Sequence, residues 1–179
     1  MQEILQRDHP VLREVARSIP SDEIGGAELG EIIKHMTVAL SEQKDGIAIA
    51  APQVGKNIRL FVVSGSLLKE ADKTYKGEAK NLVFINPEIL KSSREKSDVE
   101  EGCLSVRWLY GKVKRSVRVT LRALNEKGEK IERGASGLLA QIFQHEVDHL
   151  NGILFTDKAK ELWEMSEEEI MQLQGKTKL

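Results

Sequence analysis

Five residues near the end of the chain, His145-Glu146-Val147-Asp148-His149, restrict its fold and chemistry more than any other stretch. They lie within Leu138 to Leu150, where apolar residues recur at helical spacing. A helical turn takes close to four residues, so the two imidazoles point the same way and can grip one metal ion. The intervening glutamate stays within reach of a bound water. On a helical wheel, Leu138, Leu139, Ile142, Phe143, Val147 and Leu150 fill one broad arc. His145 and His149 fall at its edge and Glu146 inside it, while Gln141, Gln144 and Asp148 lie opposite, as a solvated face. Polar groups turned toward an apolar core are costly without partners, and a metal ion supplies them. The pattern predicts a central helix serving metal-assisted hydrolysis. Taken alone, it suits a zinc peptidase whose third ligand comes from further along the chain.

A second cluster, Glu101-Gly102-Cys103-Leu104-Ser105, offers another ligand. The chain has a single cysteine, so no internal disulfide can form and a reducing compartment is expected. Most free cysteines simply pack as small apolar residues. Cys103, however, follows a glycine and sits among polar neighbours. One cysteine with two histidines would give a three-ligand site with a position open for water, as a catalytic metal requires.

Charge excludes other classes. With 27 basic against 28 acidic residues, nothing points to nucleic acid or an anionic membrane as a partner. Met1 to Pro10 lacks a basic start followed by an apolar run, and no stretch approaches the length of a membrane span. The expectation is a soluble, cytoplasmic protein with one domain spanning 1–179.

Periodicity predicts helices over Glu28 to Lys44, Ser136 to about Asn151 (Ser136 as cap, Gly152 as left-handed terminator) and Leu162 to Leu173, with Ser166 as an inner boundary. Strands are expected at Ile58 to Val63, at Leu82 to Leu90 with an edge or bulge at Asn86-Pro87, and at Val113 to Leu124. A turn at Asn125 to Gly128 then returns the chain as a hairpin arm over Glu129 to Arg133. Ile47 to Val54 reads as loop, and Ser64 to Lys80 as a mobile connector. Strands preceding a central helix, with little alternation of the two, argue an α+β fold.

Three ordered motifs carry a family resemblance: Gly46-Ile47-Ala48-Ile49-Ala50-Ala51-Pro52-Gln53, Glu101 to Ser105, and His145 to His149. Together they resemble the G-x-G-x-A-A-x-Q, E-G-C-x-S and H-E-x-D-H set of the peptide deformylases, over roughly Ile4 to Asp157. The resemblance implies antiparallel sheets around the metal-binding helix, with a C-terminal helix. It implies hydrolysis of the N-formyl group of formyl-methionyl nascent chains, releasing formate, and a transient encounter with the ribosome. It makes Cys103, His145 and His149 the metal ligands, Glu146 the general base and then acid, and the Gln53 amide and Leu104 N–H the oxyanion donors. Gly46, Ala48, Glu101 and Gly102 are candidate substrate contacts, and Ile47, Leu138 and Ile142 are candidate walls of the methionine pocket. Ligand chemistry alone favours zinc; the resemblance implies Fe²⁺, with Zn²⁺, Ni²⁺ or Co²⁺ able to replace it.

Two departures stand out. Ala48 replaces the second motif glycine, so its methyl group could crowd substrate or exclude a positive φ, lowering turnover. Arg107 stands where proline is usual, followed by Trp108: either a surface loop, or a rim where Arg107 meets the peptide and Trp108 covers a downstream side chain. A metal-dependent peptidase and a non-catalytic relative remain as alternatives.

Overall fold

The helix bearing the histidine pair forms because its apolar arc packs against one face of a five-stranded sheet. In this computed structural model, which describes residues 3–173, the chain runs α1 (Ala27–Ser41), β1 (Ala48–Ala50), β2 (Leu60–Val63), α2 (Gly65–Ala71), β3 (Leu82–Ser92) and β4 (Lys96–Cys103). It continues through β5 (Val106–Ser116), β6 (Arg118–Leu124), β7 (Lys130–Ser136), α3 (Gly137–Leu150), β8 (Glu161–Glu164) and α4 (Glu167–Leu173). The strands form two antiparallel sheets, one ordered β1-β2-β3-β6-β7 and one β4-β5-β8. The fold is α+β, as expected.

β2 is apolar at every position because both its faces are covered. Phe61 and Val63 join the core under α3, whereas Leu60 and Val62 join the core under α1 with Leu29, Ile33, Met36 and Leu40. Phe143 of α3 meets Phe61 and Phe84 at ring-centroid distances of 6.1 and 5.1 Å, and those two rings stack at 4.8 Å. This aromatic trio welds α3 to the five-stranded sheet.

α3 ends at Leu150, and Gly152 takes the left-handed conformation (φ +71°). Arg59 Nη1 donates to the Leu150 carbonyl at 3.1 Å, and the Ala16 N–H donates to the same oxygen at 2.9 Å. Ser136 occupies the N-cap position, but its side chain makes no capping bond.

Several expectations need correction. Ile47 to Val54 is not loop: β1 is followed directly by a 3-10 turn, Ala51–Val54, with Pro52 in its first turn, where a missing N–H costs nothing. Ser64 to Lys80 contains α2, capped by Ser64 Oγ accepting from the Leu67 N–H at 3.3 Å. Val113 to Leu124 is two strands in different sheets, separated at Val117. Asn86 sits in a bulge, as expected, but β3 lies between β2 and β6 and is no edge. The final helix is α4 alone, because Leu162 and Trp163 belong to β8. Its start after Ser166 matches the inner boundary, with Ser166 and Glu169 capping each other.

Candidate metal centre and active site

β4 and α3 bring the two chemical motifs face to face. Cys103 ends β4, Leu104 and Ser105 make the turn into β5, and α3 presents His145, Glu146 and His149 from one turn. Ligand atoms of Cys103, His145 and His149 lie within 4.8 Å of one another. Cys103 Sγ is 3.1 Å from His149 Nε2. Gly46 lets this turn seat closely: a Cβ there would come within 2.8 Å of a Leu104 methyl group.

Outer hydrogen bonds hold His145 and Gln53, whereas His149 Nδ1 has no partner among the described residues. His145 Nδ1 meets Glu101 Oε2 at 2.9 Å, which leaves Nε2 for the cluster. The Ala50 N–H donates to Gln53 Oε1 at 2.8 Å, so the amide is oriented with Nε2 toward Ser105 Oγ (3.0 Å) and Cys103 Sγ (3.5 Å). Glu146 is buried, and its Oε2 has no hydrogen-bond partner among the described residues. One thiolate and two imidazole nitrogens, beside a buried orphan carboxylate oxygen, fit a divalent transition-metal cation with one position left open.

The electrostatics agree. Burial would push the Cys103 thiol up, but the adjacent imidazoles of His149 and His145 outweigh it and hold the thiol at about 5. Burial raises Glu146 to about 7, against the pull of the two histidines. Burial opposes ionisation of Glu101 as well, yet hydrogen bonds from Arg115 and His145 bring it down to about 2. His145 lies well above its ordinary value despite burial, through Cys103 and Glu101; a bound cation would displace that proton.

Above the cluster opens a cavity of about 210 Å³. It is lined by Gly46, Ile47 and Ala48, by Gly102, Arg107, Trp108 and Tyr110, and by Leu138, Ile142, His145 and Glu146. All three motifs meet there. Ala48 is an ordinary strand residue paired with Val63, and the only non-glycine residues at positive φ among those described are Asn86 and Trp108. The conformational objection to Ala48 therefore falls, and only its methyl group remains in question. Arg107 is not in a loop but in β5, and its guanidinium is engaged by Asp45 Oδ2 (2.6 Å) and Gln43 Oε1 (2.5 Å). The Glu101 carboxylate is bonded to Arg115 and His145, and the residue also lines the cavity.

Two residues escaped the sequence reading. Asp148 is buried, not solvated, and pairs with Arg115 and Lys158. Arg115 is likewise buried. It shares strand parity with Val113 and Val117, and a charge on the apolar face was the available signal.

A thiolate, two imidazoles and a carboxylate gathered beneath a partly apolar cavity define a metal-dependent hydrolase. The sequence model described as Polypeptide deformylase matches residues 1–164. The chain is 39% identical over 163 residues to peptide deformylase 2 of Clostridium acetobutylicum, covering 90% of this chain and 97% of that one. It is 43% identical over 156 residues to the peptide deformylase of Halothermothrix orenii, covering 87% and 91%. The Met-Ala-Ser-bound class I type b peptide deformylase from Acinetobacter baumannii superposes with a TM-score of 0.77 at 34% identity, covering 88% and 99%. The chain belongs to the polypeptide deformylase family and is a hydrolase that removes N-formyl groups from peptides. Neither alternative finds support in these likenesses.

Proposed function

We propose that the enzyme deformylates the initiator formyl-methionine of nascent polypeptides, with Cys103, His145 and His149 holding Fe²⁺ in the cell and Zn²⁺, Ni²⁺ or Co²⁺ able to take its place. The observation that carries this reading is the buried Glu146 carboxylate, partnerless at Oε2, beside a three-ligand cluster under a cavity sized for one side chain. Pockets for drug-sized ligands run to roughly 300–1,000 Å³, so about 210 Å³ suits a single long apolar side chain between Ile47, Leu138 and Ile142.

The bound cation would supply Lewis acidity and an acidified water. Glu146 takes the proton at Oε2 and returns it to the departing amine. Gln53 Nε2, locked by its own Oε1 contact to Ala50, donates to the oxygen on which negative charge develops, together with the Leu104 N–H. The Gly46 to Ala48 stretch and Gly102 hold the peptide backbone across the cavity. Glu101 orients His145, and Arg107 braces the rim through Asp45.

We further propose a cytoplasmic protein that meets the ribosome transiently, because its substrate emerges there. No helix among the described residues is long and apolar enough to cross a membrane. The test is formate release from formyl-Met-Ala-Ser by protein prepared anaerobically with its metal identified. Parent protein should turn over and Glu146→Ala should not. Equal activity in the two would remove the assigned base, and cleavage of unformylated peptide would restore the peptidase alternative.

A further inference from the structure

We propose that Lys158, just past the 3-10 turn that follows α3, is a positioning residue for the metal centre, acting through Asp148, Arg115 and Glu101 on the ring of His145. The inference rests on the ligand assignment above and adds to it a residue outside the three motifs.

The contacts form an unbroken series. Lys158 Nζ donates to both carboxylate oxygens of Asp148, at 2.6 and 2.7 Å. Arg115 Nη1 donates to Asp148 Oδ2 at 2.6 Å. Arg115 Nε and Nη2 grip the two oxygens of Glu101 at 2.7 and 2.9 Å, and Glu101 Oε2 meets His145 Nδ1 at 2.9 Å. Side-chain exposure falls from 40% at Lys158 through 12% at Asp148 and 5% at Arg115 to 2% at Glu101. Every member but the first is withdrawn from water and depends on its neighbours for compensation.

Charge counting gives Lys158 its task. Once a cation has displaced the His145 proton, two buried carboxylates face one guanidinium, leaving one negative charge unbalanced, and Lys158 supplies the missing positive charge. Nearby lysines do not substitute: Lys112 pairs with Glu161 and Lys160 with Asp98. Without Lys158, Asp148 draws the guanidinium toward itself and the fork on Glu101 opens. Glu101 then holds the His145 Nδ1–H less firmly, and the ring is freer to turn its Nε2 out of line. Partners of this kind are expected to change metal affinity by about 10- to 100-fold.

The experiment compares parent, Lys158→Met and Lys158→Arg. It measures Co²⁺ affinity by chelator competition, the visible absorption of the thiolate-ligated ion, and the thermal midpoint. Lys158→Met should bind Co²⁺ about tenfold more weakly with an altered absorption band. Lys158→Arg should restore both, because a guanidinium fork also spans the two oxygens of Asp148. Asp148→Asn, which breaks the next link, should weaken Co²⁺ binding in the same direction and keeps the test decisive if Lys158→Met does not fold. Unchanged affinity and spectrum in a folded Lys158→Met protein, whatever its thermal midpoint, would overturn the proposal. Failure of the parent itself to bind one Co²⁺ would overturn the ligand assignment along with it.

Discussion

Glu146 must be ionised to take a proton, and its surroundings set the pH at which that holds. Burial raises it from 4.5 to about 7, while a bound cation adds positive charge nearby and pulls it back down. The acid limb of kcat/KM should therefore fall with an apparent pKa between 4.5 and about 7, activity being present above that value and lost below it. Glu146→Gln should keep its metal, lower kcat/KM by about 10²- to 10⁴-fold and abolish that limb. A limb that persists in the variant would belong to another group. Ala48 makes a smaller prediction. As its backbone is ordinary strand, Ala48→Gly should gain in kcat/KM only through relief of its methyl group. It should also lose about 0.5–1 kcal/mol of stability, read from urea unfolding. A gain with no loss of stability would mean that the strand tolerates glycine freely.

At the scale of elements, α3 is anchored at its C-terminal end and by buried ion pairs as well as by its apolar core. Gly152 combines a left-handed backbone with tight quarters, since an added Cβ would lie 2.6 Å from the Arg13 carbonyl oxygen. Gly152→Ala should cost about 1–3 kcal/mol in a urea unfolding series; an unchanged midpoint would show that the turn relaxes without penalty. Glu101, which joins β4 to α3 and β5, predicts an acid sensitivity. Its folded value of about 2 lies below its ordinary 4.5, so its stabilisation is fully present above pH 4.5 and lost as pH falls toward 2. Urea midpoints of parent and Glu101→Gln should converge across that window. Parallel curves would remove the linkage. The same elements show what could be read from the chain. The HExxH helix was legible because its ligands and its apolar arc are encoded at one period. β4 was missed because Val99 is its lone apolar residue between Lys96 and Glu101, so no alternation marks it. The β5–β6 break was missed because Val113 and Val119 keep step across Val117, although the chain changes sheet there. β8 is hidden in the sequence because its two apolar residues, Leu162 and Trp163, are adjacent and carry no period of their own.

At the scale of the molecule, the two sheets are attached to α3 by different physics. The five-stranded sheet meets it through a large apolar core, including Phe61, Phe84 and Phe143. The three-stranded sheet has its own small core, Val106, Val113, Leu154 and Phe155, and polar links tie it to α3 among the described residues. Gln141 reaches the Glu100 carbonyl, Gln144 the backbone of Ser116, Arg115 reaches Asp148, and Glu101 reaches His145. A cation shared by Cys103 and the two histidines would be one more bond of that kind, fastening β4 to the helix. Metal that binds only the folded chain stabilises it by about 4 kcal/mol when free ion exceeds Kd a thousandfold. Chelation should therefore lower Tm, and the loss should not be uniform. Amide hydrogen exchange should speed up most over 96–116, where polar links dominate, and least over 82–92 and 118–136, where the apolar core holds. Equal acceleration in both sheets would mean that the core, rather than the metal, governs the attachment of β4, and an unchanged Tm would mean that the cation fastens nothing.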